Sequence, residues 1–554
     1  MIKRPLDSEP GQRRRVPLFL FWAVVTVIWF SSLGLRALIH PDEGRYADIS
    51  LTMLQSGDWI TPRLNGLLYF EKPALQYWAG AASFSLFGIN EFAARFWPGL
   101  TSFLTVLVVW SFGKRLYGRD IAAKAALIVA GAMWIVGNGH FLTLDMGATF
   151  FLTLALFSFL LAQDAQSTPR ARRRLMWLCW AAMAGATLSK GLVGLLIPGM
   201  TIVLYSLAGM RWAIWKRLHL LSGLLIYFCL AAPWFILVSR RNPEFANFFF
   251  VHEHFQRFLT TEHKRTGAIW YFVPVLLLGF FPWTTLLGRA LREGWKSDGA
   301  GFQGRQVLLI WCIFTFAFFS VSGSKLPSYI LPMFPALGML LALGIGQLTE
   351  KAWRWHLLAP GLLFATLVGL YPFAGRAVTP EAPLEVWRQM LGFLAIAGLA
   401  GLLGTWLAWR AIRRGRLTVG LAALSLTSIV AMTLAMTGHD SYGQLKSSKR
   451  LVHAMGQYLH DDTELFSVRM HDQTFPFYLR RPVTLVDYRD EFALGQDIEP
   501  ARWIPSLAEF ESRWRKAAGA AAMMLPQTYD ELSKNQLPMQ VVYRDARRLV
   551  VVKP

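Results

Sequence analysis

A run of charged residues follows the first apolar segment of the sequence, in the stretch HPDEGRYAD. Asp42, Arg45 and Tyr46 are spaced i, i+3 and i+4, so on a helix they share one face. A carboxylate in that position can orient or deprotonate an acceptor, and an adjacent arginine can hold it in place. The alternative is that Asp42 and Glu43 only complement the dipole of a helix start. Because charges at a membrane edge are costly, we predict a functional role for Asp42.

Other ionisable side chains lie at the ends of apolar runs. Glu71 and Lys72 follow Tyr69 in YFEKPALQYW. They predict either a loop ion pair or a site in which the lysine faces a phosphate and the acid binds a metal or a sugar amine. Asp145 and Lys190 lie within or between apolar runs, where they are functional candidates or a buried pair that orders the bundle. We predict catalytic roles for Asp42, Glu71 and Lys72, and substrate contacts for Arg45, Tyr46, Tyr69, Asp145, Lys190, Arg257 and Lys325.

Two further segments, HEHFQRF and SGSKLPSYILPMFP, carry the remaining candidates. Arg257 offers a planar fork suited to phosphate, whereas Lys325 fits either phosphate binding or a lysine that snorkels to the interface. His252 and His254 are two residues apart, which is a poor metal-binding spacing on a helix but a workable one in a loop. Glu71 with His252 is therefore our candidate for a divalent metal, zinc, magnesium or manganese. No other cofactor is expected.

The sequence as a whole indicates a polytopic membrane protein. Of its 554 residues, 54% are hydrophobic and only 16% are charged, and the mean hydropathy is +0.37. Runs of the ~20 apolar residues that a spanning helix needs recur about thirteen times. Much of the net charge of +22 lies in alternate short loops, as in other multi-pass proteins, so no nucleic-acid partner is expected. This pattern places the N-terminus in the cytoplasm and HPDEGRYAD on the outer side.

The chain is predicted to divide near residue 438. Residues 1–438 form the transmembrane domain, with a first outer loop at 39–90 that contains interfacial helices, and residues 439–554 form a soluble α/β domain. In the tail, strands are predicted in ELFSVRM, RPVTLVDY, AAAMML and QVVYRDARRLVVVKP, and helices in IPSLAEFESRWRKAA and TYDELSKN. The tail shows no convincing catalytic set. The three cysteines all lie in apolar runs, which excludes a disulfide framework.

Four segments resemble a known family, the lipid A aminoarabinose transferases. They are HPDEGRYADISLTMLQSGDWITPRLNGLLYFEKPALQYW, LSKG, HEHFQRF and SKLPSYILPMFP, and the match is strongest from about 39 to 335. These bacterial inner-membrane glycosyltransferases are multi-spanning enzymes of the GT-C class, related to protein O-mannosyltransferases. The resemblance implies an undecaprenyl phosphate donor carrying 4-amino-4-deoxy-L-arabinose and an acceptor phosphate on lipid A at the periplasmic leaflet. Such a transfer lowers the negative charge of lipopolysaccharide and gives polymyxin resistance.

The resemblance also implies roles for individual residues. Asp42 matches the catalytic aspartate of the class, and Glu71 and Lys72 match its acid–lysine pair. Asp145, Lys190 and Arg257 lie where the family has further cavity residues. The implied reaction is an inverting displacement in which Lys72, Arg257 and Lys190 hold the leaving phosphate and Asp42 positions or deprotonates the acceptor. A monomer surrounded by membrane lipids is expected.

Three alternatives stay open at this point. In the first, the enzyme class is the same, but the acceptor is a protein or glycan hydroxyl or the sugar is a different one. In the second, the chain is a lipid transporter or flippase, which would account for the many spans but not for charges gathered at one face. In the third, the chain is a non-catalytic scaffold, and the dense ionisable loop argues against this.

Overall fold

Most of the chain forms long helices that pack against one another. The computed structural model describes residues 18–256, 267–299 and 301–554. Up to residue 256 the helices are Leu18–Ser31, Asp42–Ser56, Leu75–Phe87, Glu91–Tyr117, Arg119–Gly131, Met133–Gly139, Asp145–Gln163, Pro169–Lys190, Val193–Ala208, the 3-10 helix Trp212–Arg217, Leu220–Arg241, Glu244–Ala246 and the π-helix Asn247–Gln256. From residue 267 to 443 they are Phe272–Gly279, the 3-10 helix Thr284–Leu286, Leu287–Gly294, Gly304–Val321, the 3-10 helix Pro327–Met333, Phe334–Ile345, Glu350–Gly369, the 3-10 helix Tyr371–Ala377, Leu384–Arg413 and Leu417–Gly443.

Seven helices among the described residues are long and apolar enough to cross a membrane. Three bent helix pairs, with bends of 61°, 109° and 61°, raise this number to ten if each pair is one span. The chain is thus a multi-pass α-helical membrane protein, as predicted, although the count of about thirteen spans stays a prediction. Helix Pro169–Lys190 is not among these spans, and its first turns carry the charged run PRARRR. Helix Val193–Ala208 is apolar but too short to be counted.

The loop at 39–90, which the sequence predicts to be the first outer loop, contains the helix that carries Asp42. Helix Asp42–Ser56 begins after Pro41 and ends at Gly57, whose φ of 69° gives the left-handed C-cap expected from the sequence. A tight hairpin follows, in which Asn65 and Gly66 both have positive φ, 51° and 79°. Asn-Gly is the preferred pair for such a turn, and this signal in RLNGLL was available in the sequence but missed. The interfacial segment predicted at 74–87 is the short helix Leu75–Phe87.

The C-terminal part is an α/β unit with a six-stranded mixed sheet. Its strands, in spatial order, are Trp503–Ile504, Thr484–Val486, Glu464–Val468, Ala520–Met524, Leu549–Val552 and Gln540–Arg544. The first four are parallel, and the last two join antiparallel. QVVYRDARRLVVVKP was predicted as one strand, but it forms a hairpin because the chain turns at Asp545, which accepts backbone N–H groups from Arg547 and Arg548.

Helices cover both faces of this sheet. Phe466 and Val468 face one side, where they pack with Phe510 and Trp514, while Leu465 faces the other. The helices of the unit are Lys449–Met455, Thr474–Leu479, Ala493–Ile498, Leu507–Lys516 and Pro526–Lys534. The predicted boundary at 438/439 stays a prediction, and the preceding helix Leu417–Gly443 runs past it.

The α/β unit packs directly on the first outer loop. Asn65 exchanges two hydrogen bonds with the backbone of Val483, each 2.8 Å long. A Cβ added to Gly44 would lie 2.5 Å from the backbone at Gln473 and Thr474, so only glycine permits this close approach. The C-terminal unit therefore helps to fix the helix that carries Asp42.

Candidate active site

Asp42 is held by an arginine that bridges two parts of the chain. Arg45 Nη1 donates to Asp42 Oδ1 at 2.7 Å, as the i, i+3 spacing predicts, and Arg45 Nε donates to Glu491 Oε2 at 2.6 Å. Gln473 Nε2 donates to the other oxygen of Glu491 at 2.6 Å. Arg45 and Glu491 are buried, while the Asp42 side chain keeps 26% of its surface exposed. The arrangement fixes one face of a carboxylate and leaves part of it open to a substrate.

The neighbouring Glu43 has a different task from Asp42. It forms a two-pronged ion pair with Arg95 of a spanning helix, with distances of 2.6 and 2.7 Å, and both side chains are fully buried. Its oxygens also accept the backbone N–H groups of Ile39 and Leu142. Burial alone would raise the pKa of Glu43, but the Arg95 guanidinium lowers it overall. Glu43 thus fixes the start of the loop helix against the bundle.

Two buried tyrosines lie among the acids of the site. Burial raises the pKa of the Tyr46 phenol, and the negative charges of Asp42 and Asp145 raise it further. Burial also raises the pKa of Tyr69, which lies within the electrostatic influence of Glu71. Both phenols therefore stay protonated near neutral pH and can donate hydrogen bonds. Tyr46 thus lies within the electrostatic influence of Asp42 and Asp145, and Tyr69 within that of Glu71.

Glu71 and Lys72 are half-buried neighbours in the first loop. Lys72 Nζ donates to the backbone carbonyl of Glu71 at 2.8 Å and lies 4.0 Å from its carboxylate. Each side chain keeps 20% of its surface exposed. The loop ion pair expected from the sequence is therefore present in a loose form, and both groups retain accessible surface.

Asp145 and Lys190 meet where helix Asp145–Gln163 begins and helix Pro169–Lys190 ends. The lysine forms an ion pair with Asp145, which also accepts a hydrogen bond from Ser328 Oγ at 2.8 Å. The ammonium group lies 4.3 Å from the centre of the Tyr329 ring, within cation–π range. The charge of Lys190 is thus largely balanced inside the protein.

Lys325 does not extend to the interface. It is buried, and its Nζ donates to the carbonyl groups of Ser320 and Ser322 at 2.7 and 2.8 Å. These carbonyls lie at the end of helix Gly304–Val321, where a cation complements the helix dipole. The structure therefore contradicts the snorkelling alternative and places Lys325 as a cap.

The remaining predicted residues lie in the 240–266 loop. Arg257 lies outside the described residues. The His252 ring stacks on Phe248 with a centroid distance of 5.0 Å. Across residues 18–256, 267–299 and 301–554, no three His, Cys, Asp or Glu side chains form a group that could hold a metal ion. The metal site at Glu71 and His252 thus stays a prediction.

Sequence reasoning missed the contribution of the tail to this site. Glu491 pairs with Arg45 and accepts a hydrogen bond from Gln473, so the tail contributes to the site although its sequence shows no convincing catalytic set. Neither residue belongs to a motif, and only the folded contact reveals them. Asp48 was missed as well. It is buried on the loop helix and accepts the Asn65 backbone N–H at 2.7 Å, which ties the hairpin to the helix.

Replacing Asp48 with asparagine is expected to remove a pH dependence of stability. Burial raises the pKa of Asp48 to about 7, so ionisation opposes folding. The folded state then binds more protons than the unfolded state between about pH 4 and 7, and stability falls as the pH rises through that window. At pH 8 we expect Asp48→Asn to be more stable than wild type by at least about 1.4 kcal/mol.

Thermal unfolding of both proteins between pH 5 and 8 measures this difference. Asp120→Asn is the matched control, because the Asp120 side chain is 67% exposed. A constant difference between Asp48→Asn and wild type at all pH values would contradict the prediction.

Replacing Glu491 with glutamine is expected to lower activity roughly tenfold without unfolding the chain, because Arg45 loses a charged partner and holds Asp42 less firmly. Burial raises the pKa of Glu491, so its contact with Arg45 should weaken at a higher pH than for an exposed glutamate. The acid side of the pH–rate profile measures this effect. Glu499→Gln is the control, since Glu499 also forms an ion pair across the same interface, with Arg63 at 2.9 Å. Equal losses in the two variants would contradict a positioning role.

Comparison with known proteins identifies the family. Residues 16–249 match the family model for dolichyl-phosphate-mannose-protein mannosyltransferase, and residues 451–553 match that for the aminoarabinose transferase C-terminal domain. A relative from Edwardsiella ictaluri, named undecaprenyl phosphate-alpha-4-amino-4-deoxy-L-arabinose arabinosyl transferase, is 36% identical over 67% of this chain and 69% of its own length. A relative of the same name from Pseudomonas aeruginosa is 35% identical over 72% and 73%.

A solved structure matches nearly the whole chain. The crystal structure of ArnT from Cupriavidus metallidurans bound to undecaprenyl phosphate superposes with a TM-score of 0.92, at 38% identity and with 97% of both chains covered. Its apo form gives a TM-score of 0.90 over the same coverage. This chain is therefore a glycosyltransferase and belongs to the undecaprenyl phosphate-alpha-4-amino-4-deoxy-L-arabinose arabinosyl transferase family.

Proposed function

We propose that this enzyme transfers 4-amino-4-deoxy-L-arabinose from undecaprenyl phosphate to the phosphates of lipid A. The observation that carries the proposal is the Asp42 carboxylate, held by Arg45 and partly open, in the same outer loop as Lys72. Family membership supports the donor, because the matching Cupriavidus chain binds undecaprenyl phosphate. The names of the relatives support the sugar.

The donor phosphate is the leaving group of the proposed reaction. The acceptor oxygen attacks the anomeric carbon from the face opposite the phosphate, the bond between that carbon and the phosphate oxygen breaks, and its electron pair stays on the phosphate. The configuration at the anomeric carbon inverts. Lys72 and Arg257 stabilise the negative charge that grows on the phosphate. Lys190 is less suited to this task than the sequence suggested, since Asp145 already balances its charge.

The Asp42 carboxylate acts on the acceptor. A lipid A phosphate is already ionised near neutral pH, so Asp42 mainly positions it, together with the Arg45 guanidinium. The Tyr46 and Tyr69 phenols remain protonated and can donate hydrogen bonds to the sugar or the phosphate. No step requires a metal, because the cationic side chains supply the charge stabilisation.

The proposal includes an orientation in the membrane. The basic short loops support an N-terminus in the cytoplasm of a bacterial inner membrane, with Asp42 and the α/β unit in the periplasm. Both substrates are lipids whose reacting groups emerge at that face. We propose a monomer, since the C-terminal unit of the same chain completes the Arg45 contacts.

A second acceptor class is a protein hydroxyl. It is favoured by the match of residues 16–249 to a protein mannosyltransferase family model. A hydroxyl, unlike a phosphate, must lose a proton, so this alternative would make Asp42 a general base.

Mass spectrometry of lipid A tests the proposal. Cells that lack a homologous transferase are supplied with this chain, with its Asp42→Ala form, or with an empty vector. We expect an added aminopentose on the lipid A phosphates only with the intact chain. An unchanged lipid A despite normal expression would overturn the acceptor, and a search for glycosylated proteins in the same cells then tests the second class.

A further inference from the structure

A separate cavity lies between the helices Glu350–Gly369 and Leu384–Arg413. It has a volume of about 830 Å³, and eleven residues of the two helices line it, in a stretch from Glu350 to Gly361 on one helix and from Leu402 to Arg413 on the other. At the rise of an α-helix this corresponds to a length of roughly 16 Å. None of its lining residues belongs to the candidate active site.

The cavity is charged at one end and apolar at the other. Lys351 and Arg354 lie near the start of one helix, and Arg413 at the end of the other, so three cations surround the mouth. Towards Gly361 the walls consist of apolar side chains such as Leu358, Leu402 and Trp406. These side chains are not covered by other parts of the protein. This gradient matches an amphipathic molecule with an anionic head.

The one acid at the mouth does not neutralise it. Glu350 forms an ion pair with Arg413 at 3.3 Å, but about 60% of each side chain is exposed (61% and 62%). Exposed pairs of this kind contribute little free energy, so Arg413 can turn to another anion at low cost. The mouth then offers three cations against one carboxylate.

The direction of the helices places this cavity at the membrane face opposite the active site. The segment Pro327–Ile345 begins beside Asp145, where Ser328 donates to that carboxylate, and it runs away from the site. Glu350 therefore begins the next helix at the far end. Helix Leu417–Gly443 returns from Arg413 to the α/β unit on the active-site side.

We propose that this cavity binds an anionic diacyl phospholipid of the leaflet opposite the active site. Its phosphate contacts Lys351, Arg354 and Arg413, and an acyl chain lies along the apolar wall towards Gly361. Basic pockets between spanning helices are a known mode of anionic headgroup recognition. The Trp409 ring beside Arg413 is the kind of aromatic side chain preferred at that depth. The bound lipid would hold the helices Glu350–Gly369 and Leu384–Arg413 together.

Native mass spectrometry of the purified full chain in neutral detergent tests this site, with phosphatidylglycerol or phosphatidylcholine of identical acyl chains as probes. We expect wild type to retain phosphatidylglycerol at least about tenfold better than phosphatidylcholine. The double variant Lys351→Glu/Arg354→Glu should lose this preference. Gly361→Leu should also lower retention, because no atom lies within 4 Å of a Cβ at Gly361 and the new side chain fills the cavity instead of displacing the protein.

Lys216→Glu/Arg217→Glu is the matched control, as it reverses two exposed cations at the same end of the bundle but outside the cavity. It should retain the lipid. Equal retention of both lipids by wild type, unchanged retention in Gly361→Leu, or an equal loss in the control would overturn the proposal. Displacement of phosphatidylglycerol by equimolar undecaprenyl phosphate would overturn the assignment to a diacyl lipid. Gly361→Leu changes no charge, so it decides the question even if the double variant does not fold.

Discussion

Asp42→Asn should lower the rate of sugar transfer by at least about a hundredfold while the protein still folds. Asparagine has nearly the same size as aspartate, so the loop helix keeps its packing. It lacks the charge that pairs with Arg45 at 2.7 Å, so the acceptor phosphate is positioned less well, and with a hydroxyl acceptor the variant could not take up the proton. Initial rates with purified protein, a lipid-linked aminoarabinose donor and lipid A measure the change.

Asp58→Asn provides the control for this experiment. Asp58 lies in the same outer loop and also forms an ion pair with an arginine, Arg241, at 3.1 Å, but it has no contact with the candidate site among the described residues. Its variant should transfer sugar at close to the wild-type rate. Activity of Asp42→Asn within threefold of wild type would move the catalytic carboxylate elsewhere, and Asp145 would then be the next to test.

Arg95→Met should destabilise the protein by about 3–5 kcal/mol, because it leaves Glu43 as an unpaired charge in a fully buried position. The ion pair keeps the pKa of Glu43 low, so its stabilising contribution is present above the pKa of an unfolded glutamate and disappears only on acidification. Thermal or denaturant unfolding in detergent measures the loss. Transfer should fall as well, since the start of the Asp42 helix is no longer fixed.

Two further variants separate the buried pair from a general effect of losing arginine. Arg63→Met breaks a partly exposed pair with Glu499 and should cost only about 1 kcal/mol. Combining Arg95→Met with Glu43→Gln should cost less than the sum of the single changes, since no charge is then left buried. Additive effects would show that Glu43 and Arg95 stabilise the fold independently.

The sequence alone was enough to predict a membrane protein and to locate segments of secondary structure along the chain. Apolar runs of membrane-spanning length give the helices, and the i, i+3 spacing gives the contact between Asp42 and Arg45. Short alternating or apolar runs mark the strands of the C-terminal unit except Trp503–Ile504, since Ile504 was predicted to begin a helix. These features depend on local periodicity, so they can be recognised without the tertiary structure. The family resemblance added the chemistry that periodicity does not contain.

Contacts between distant segments required the tertiary structure. Glu491 lies 446 positions from Arg45, and nothing near it in the sequence marks it as a partner. Lys190 and Lys325 both carry the charge that suits phosphate, yet one is balanced by Asp145 and the other caps a helix end. A sequence shows which charges are present. Only the packing of helix ends, loop and C-terminal unit decides which of them are neutralised inside the protein and which remain for a substrate.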